Sequence, residues 1–204
     1  VRVLNLYAGL GGNRKHWKDC EVTAVELNES IAAFYQGQYP QDRVIVADAH
    51  EYLLNHYKDF DFVWSSFPCP SHSRARFWSS KGGRYAPVFP DLGLYEEILF
   101  LRKFYSGRWV VENVIPYYKP LIKPTAEMSR HLFWSNFSIM PLHVKSNYVF
   151  GGDEMKEVQK DLGIDISNTT LPNKTKLIRN CVHPDLGLHI FNESKRVGMF
   201  EQYP

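Results

Sequence analysis

Two side chains in this sequence stand where covalent chemistry could be done. The first is Cys69, in the run Ser66-Phe67-Pro68-Cys69-Pro70. A thiol between two prolines sits on stiffened backbone, because proline fixes its own φ and restricts the residue before it. A free cysteine is most often a small buried hydrophobe. This one follows the apolar stretch Phe60 to Ser66, at the end of a strand where ligands bind, which points to a reactive role. A reactive thiolate needs nearby cations, and Arg74 and Arg76 are close in sequence. The second side chain is Glu112, in Val110-Val111-Glu112-Asn113-Val114. A carboxylate emerging from a Val-rich strand is partly desolvated, so it can hold a proton near neutral pH and act as an acid. A solvated strand-end residue is the plain alternative.

Three further places read as ligand contacts. Tyr7-Ala8-Gly9-Leu10-Gly11-Gly12 follows the first apolar run, and glycines there let a ligand approach the backbone. The cluster is neither the GxGxxG dinucleotide fingerprint nor a phosphate-cradling loop ending in Gly-Lys-Ser/Thr. Glu26, followed by Leu27, ends the second run, where an acidic side chain can accept from ribose hydroxyls; a charge at a helix N-terminus is the other reading, since Asn28 and Glu29 look like a cap. Asp48, followed by Ala49, ends the third run and suits an adenine amino group or, equally, an N-cap. Together they describe an adenosine-type ligand without a pyrophosphate clamp.

The elements that position these residues alternate. Strands are expected over Val1 to Tyr7, Val22 to Glu26, Arg43 to Ala47, Phe60 to Ser66 and Trp109 to Asn113. Helices are expected over Glu29 to Tyr39, from the third strand to about Asn55, and from about Leu92 to Tyr105 after Pro90-Asp91. Such alternation means a mostly parallel, doubly wound α/β sheet with ligands at the carboxyl ends of its strands. After Pro116 the pattern loosens: a strand over Leu132 to Ile139, helices over Asp153 to Leu162 and Pro184 to Ser194, and a turn-rich connector from Asn168 to Asn173.

Composition bounds the answer. The 204 residues fit one domain. With 44% hydrophobic and 23% charged residues, wholesale disorder is excluded. No apolar run reaches the roughly 20 residues that span a bilayer, and the start shows no signal-peptide layout, so a soluble intracellular protein is expected. The three cysteines, Cys20, Cys69 and Cys181, are far apart and form no CxxC pair, and the eight histidines lack metal-ligand spacing. Neither a disulfide framework nor a metal site is expected. Net charge is only +2, but Ser71 to Pro90 carries Arg74, Arg76, Lys81 and Arg84 with no acidic residue before Asp91. That run is either a solvated loop or a grip on nucleic-acid phosphates.

The ordered set resembles the cytosine-5 DNA methyltransferase family. Asn5 to Gly12 is similar to its first motif, Glu26 to the acidic residue on the cofactor ribose, and Asp48 to the one near adenine. Pro68-Cys69 is similar to the catalytic Pro-Cys, with Ser73 at the serine four residues on. Glu112-Asn113-Val114 is similar to the Glu-Asn-Val motif, and Arg130 to part of the later Gln-x-Arg-x-Arg motif. Arg179-Asn180-Cys181-Val182 resembles the last motif, Gly-Asn-x-Val. The resemblance implies a Rossmann-like, S-adenosylmethionine-dependent methyltransferase fold of about seven strands with a small appended lobe. It implies catalysis by Cys69, Glu112 and Arg130, with a cofactor site built from Tyr7, Ala8, Gly9, Gly11, Gly12, Glu26, Leu27, Asp48, Ala49, Pro68, Asn180 and Val182. Ser73, Arg74, Arg76, Lys81 and Arg84 fall to double-stranded DNA, on a Ser71 to Arg84 loop that closes over a flipped-out cytosine.

Departures are visible too. Pro70 stands where the family commonly has Gln, and Arg179 where it has Gly. Only about 40 residues separate Phe137 from Ile178, where the family usually places a larger target-recognition region. The chain therefore reads as one catalytic domain over 1–204 with a minimal recognition-like segment at about 140–178, its specificity short, loose or supplied by a partner chain. A cytoplasmic, nucleoid-associated enzyme of a bacterial or phage-infected cell follows from the resemblance. Methyl transfer to tRNA, or a catalytically silent DNA-binding homologue, remain open at this point.

Overall fold

A computed structural model describes residues 1–144 and 152–196. Residues 145–151, inside the recognition-like segment, and 197–204 lie outside the described residues. Seven strands form one sheet: β1 (Arg2–Leu6), β2 (Glu21–Glu26), β3 (Arg43–Val46), β4 (Phe62–Ser66), β5 (Arg108–Val114), β6 (Ala126–Met128) and β7 (His131–Ser135), in the spatial order β3-β2-β1-β4-β5-β7-β6. The first five are parallel to one another, whereas β7 runs antiparallel to both β5 and β6. The helices are α1 (Glu29–Gln38), α2 (Ala49–His56), α3 (Arg74–Lys81), α4 (Gly93–Phe104), α5 (Gly152–Leu162), α6 (Lys174–Asn180) and α7 (Pro184–Lys195).

The central strands are buried on both faces, which is why they read as nearly continuous apolar runs. Alternation sends Leu4 and Leu6 of β1, Val63 of β4 and Val111 of β5 toward α2 and α4. Val3, Phe62, Trp64 and Val110 face the other way, against Trp17 and α7 residues Ile190 and Phe191. Beside that second layer, Val158 and Leu162 of α5 and Ile178 of α6 pack with Leu10 and Ile31. Among the described residues no helix is long and apolar enough to cross a membrane.

Local caps set the strand-to-helix turns. The Asn28 side chain accepts from Ser30 N (3.1 Å) and Ile31 N (3.2 Å) to start α1. Asp48 accepts from Glu51 N at 2.9 Å to start α2. Pro184 opens α7 behind His183, the side chain of which accepts from Asp185 N. The expected strand from Leu132 to Ile139 is shorter and shifted, His131–Ser135, because it must pair with β5 in register. The three-residue β6 was not expected, being too short to carry periodicity. The basic stretch expected as a loop is helical over Arg74–Lys81: Arg-Ala-Arg is helix-forming, and Phe77 stacks on Tyr117 with centroids 4.4 Å apart.

Candidate active site

The carboxyl ends of β1, β2, β3, β4 and β5 open into one cavity of about 660 Å³. All of the residues expected for catalysis and for the cofactor line it. On the β4 side, the β4–β5 register sets Ser66 opposite Glu112, so the Pro68-Cys69-Pro70 turn leaves the sheet beside that carboxylate. The turn is tied down at three points. Asn113 Nδ2 donates to the Phe67 carbonyl at 3.0 Å, and both His72 N and Ser73 N donate to the Cys69 carbonyl at 3.0 Å. His72 is itself buried, with Nδ1 2.5 Å from the Tyr118 hydroxyl. The Asn of Glu-Asn-Val thus acts on the backbone that carries the thiol.

Burial, and then the negative charge of Glu112, push the Cys69 thiol above its ordinary value. The cations that oppose this are Lys176 of α6 and Arg130 of the β6–β7 turn. They replace Arg74 and Arg76 as the electropositive setting. The Cys69 sulfur also lies 3.9 Å from the Asn180 side-chain oxygen. Glu112 is buried, and its Oε1 is 2.5 Å from Nδ1 of His131. Nothing in the sequence singled out His131 or Lys176. The only signals were a polar residue in an otherwise apolar strand, and a lysine one helical turn before Asn180.

On the β1 side, Glu26 is oriented by two backbone donors: Gly9 N to Oε2 at 3.0 Å and Asn28 N to Oε1 at 2.9 Å. Each oxygen keeps a further lone pair for a hydroxyl. Asp48 caps α2, as its N-cap reading expects, and it also lines the cavity. The glycines divide. A Cβ at Gly9, with φ +54°, would meet no more than an ordinary contact, the Tyr7 carbonyl oxygen at 3.9 Å. At Gly11 it would strike the rings of Tyr35 and Tyr39, and at Gly12 the Cys181 sulfur and Val182 carbonyl. Only Gly9 leaves room for a ligand; Gly11 and Gly12 let the loop pack on α1 and on the Cys181-Val182 segment. Burial pushes the Cys181 thiol up to about 12, which makes it a packing group.

Two buried polar clusters brace the site and escaped sequence reading. Arg14 makes a bidentate pair with Asp42, both bonds 2.8 Å, behind the glycine loop. Fully buried Glu97 of α4 accepts from Tyr7 (2.5 Å) and Ser65 (2.6 Å), and its Oε1 lies 3.1 Å from His50 Nδ1. Of the five residues expected on DNA, Ser73 and Arg74 line the cavity and the other three do not. Arg76 lies over the Tyr85 ring and Lys81 over the Phe77 ring, and Arg84 is exposed.

The sheet order, the glycine loop after β1 and the acidic residues ending β2 and β3 define a Rossmann-like methyltransferase fold. Residues 1–91 match the family model of C-5 cytosine-specific DNA methylases, which shows the resemblance for the stretch holding the glycine loop, Glu26, Asp48 and Cys69. S-adenosylmethionine is that family's methyl donor. Over 68 residues the chain is 37% identical to a malonyl-[acyl-carrier protein] O-methyltransferase from Enterobacter lignolyticus (strain SCF1), covering 32% of this chain and 27% of that protein. A solved DNMT2 variant from Spodoptera frugiperda is 22% identical with a TM-score of 0.39, over 55% of this chain and 35% of that one. A SAM-dependent methyltransferase from Agrobacterium tumefaciens is 16% identical with a TM-score of 0.38, over 58% and 40%. The matches therefore span 27% to 40% of these relatives' lengths.

Proposed function

We propose that this chain is a DNA cytosine-5 methyltransferase that uses Cys69 as nucleophile and S-adenosylmethionine as methyl donor. The observation that carries this reading is one cavity with Cys69 and Glu112 on one side and the glycine loop, Glu26 and Asp48 on the other. At about 660 Å³ it is of small-molecule size. The donor fits its chemistry: the Glu26 carboxylate, held by two backbone N–H groups, suits ribose hydroxyls, and the backbone at Gly9 is unobstructed. Ala8, Gly11, Gly12, Leu27, Asp48, Ala49, Pro68, Asn180 and Val182 complete the lining, with Tyr7 braced by Glu97. When bound, this group supplies an electrophilic methyl on a sulfonium.

The chain's own residues do the rest. Cys69 thiolate adds to carbon 6 of cytosine, forming a carbon–sulfur bond and shifting the ring's 5,6 electron pair to carbon 5 and, by conjugation, to the pyrimidine head. Glu112, protonated, meets ring nitrogen 3 and yields its proton as charge develops there. Arg130, on the same cavity, opposes that charge. Carbon 5 takes the methyl, then gives up its proton to solvent base. The returning electron pair expels Cys69, and nitrogen 3 gives its proton back to Glu112.

A base inside duplex cannot reach this cavity, so the target is flipped out at a cost of about a few kcal/mol. Ser73 and Arg74 at the cavity, with Arg76, Lys81 and Arg84 along the same segment, then lie on the phosphate side. The domain acts as a single catalytic unit, with recognition left to the 140–178 segment or to a partner chain.

Duplex DNA carrying 5-fluorocytosine tests this, because fluorine at carbon 5 cannot leave as a proton. With S-adenosylmethionine present, a denaturation-resistant protein–DNA adduct at Cys69 is expected. No adduct with DNA but one with 5-fluorocytosine tRNA transfers the activity to RNA; none with either rules out the covalent mechanism.

A further inference from the structure

Helix α6 carries no group that reacts in the chemistry described so far, yet one of its faces lines the cavity of the nucleophile. Lys176 and Asn180 are four residues apart on this helix, hence on the same face, and both line the cavity that holds Cys69. Asn180 reaches the Cys69 sulfur at 3.9 Å. The opposite face is anchored by Ile178, buried against Leu10 and Ile31, so the helix cannot turn without breaking its core contacts.

Resting on the assignment of Cys69 as nucleophile, we propose that Lys176 is a positioning residue whose ammonium, carried on the cavity face of α6, favours the attacking thiolate form of Cys69. Three charged groups act on that sulfur from the surrounding elements: Glu112 from β5 against ionisation, Arg130 from the β6–β7 turn and Lys176 from α6 in favour. Arg130 is at the same time placed to face the substrate ring, and its charge is then shared with the developing anion. Lys176 lies one turn from the residue touching the sulfur, and its charge is committed to the thiolate. The Asn180 amide as oriented accepts from the thiol S–H; turned over, the same amide offers an N–H to the thiolate.

The pH profile of Cys69 alkylation by iodoacetamide tests this without any nucleic acid. Modification is followed on the Cys69 peptide by mass spectrometry, so that Cys20 and Cys181 do not interfere. Wild type, Lys176→Met and Lys176→Arg are compared, each checked for native folding by circular dichroism. The exposed position of Lys176 on α6 favours folded variants, and Lys176→Arg keeps the charge as a control. Lys176→Met is expected to move the alkylation midpoint up by about half a pH unit, as loss of an opposite charge on an exposed, solvent-screened side chain does. That is roughly a threefold loss of thiolate at neutral pH. Lys176→Arg is expected to hold the wild-type midpoint. Superimposable profiles for wild type and Lys176→Met overturn the proposal, whatever happens to DNA binding. Single-turnover methyl transfer is measured in parallel: a shifted alkylation profile in a protein that methylates no nucleic acid supports the Lys176 assignment and sinks the methyltransferase reading instead.

Discussion

Nδ1 of His131 lies 2.5 Å from Oε1 of Glu112, and both side chains are buried. The antiparallel register explains the pairing: Val114 opposes His131 and Glu112 opposes Phe133, so carboxylate and imidazole are diagonal neighbours on one face of the sheet. One oxygen is tied to the imidazole, and in the proposed mechanism the other meets the ring nitrogen. Glu112→Gln is expected to lower single-turnover methyl transfer by about 10²- to 10⁴-fold, the usual worth of a general acid. His131→Phe leaves a buried carboxylate unpaired, at a cost of about 1–3 kcal/mol. It should therefore lower both the denaturant midpoint and the methylation rate. Loss of stability with an unchanged rate would mean that His131 only supports the fold.

Cys69→Ser tests the division of labour within the cavity. The glycine loop, Glu26 and Asp48 contribute to the cavity from different strands than the thiol, so the substitution should leave the binding of S-adenosylhomocysteine nearly unchanged by calorimetry. Turnover should fall below detection, since serine is a far weaker nucleophile without a base to activate it. Weakened cofactor binding as the main defect would count against Cys69 as nucleophile.

What could be read in advance divides along a physical line. Strand ends carry sequence signals because burial on both faces forces apolar runs that stop where chemistry begins; Glu26 and Ser66 end their strands as expected, β1 stops one residue before the expected Tyr7, and β5 runs one residue past Asn113. Pro68-Cys69 and Glu112 could be paired in thought because successive parallel strands end on one side. His131, Lys176 and Glu97 could not. Each reaches the site through register or helix packing between segments distant in the chain: 19 residues for His131 and Glu112, 47 for His50 and Glu97. The basic stretch misled because a run of Arg and Lys says where charge is, and not whether Phe77 will find Tyr117 and settle into a helix.

The Glu97 cluster gives stability a pH dependence with a definite sign. The hydrogen bond to Glu97, ahead of the opposing effect of burial, raises the His50 imidazole above its ordinary 6.5. A folded-state value above the unfolded one stabilises the fold fully below 6.5 and ceases to do so as pH rises through the raised value. His50→Gln removes this dependence. Between about pH 6 and about pH 8, the wild-type melting temperature is expected to fall relative to His50→Gln. The effect should be modest, as the His50 side chain is 33% exposed. Parallel curves for the two proteins would show that the pair contributes nothing on protonation.

The glycine loop offers a contrast between two substitutions of the same size. Gly9→Ala places its methyl without a clash but on a backbone with φ +54°, a conformation that costs an L-residue about 1–2 kcal/mol. The same methyl projects toward the space given to the cofactor, so stability and S-adenosylhomocysteine affinity should both decline. Gly12→Ala meets no such backbone penalty, yet its Cβ would collide with the Cys181 sulfur and the Val182 carbonyl. The carbonyl is backbone and cannot swing aside, so the Cys181-Val182 segment must move away from the loop, at about 1–3 kcal/mol for overpacking. That displacement carries Asn180 with it and loosens its grip on the Cys69 sulfur. Gly12→Ala is therefore expected to alter the Cys69 alkylation profile, whereas Gly9→Ala should leave that profile at its wild-type position while weakening the cofactor. If both variants weaken the cofactor and neither touches the alkylation profile, the last motif serves the cofactor alone and its contact with the thiol is incidental.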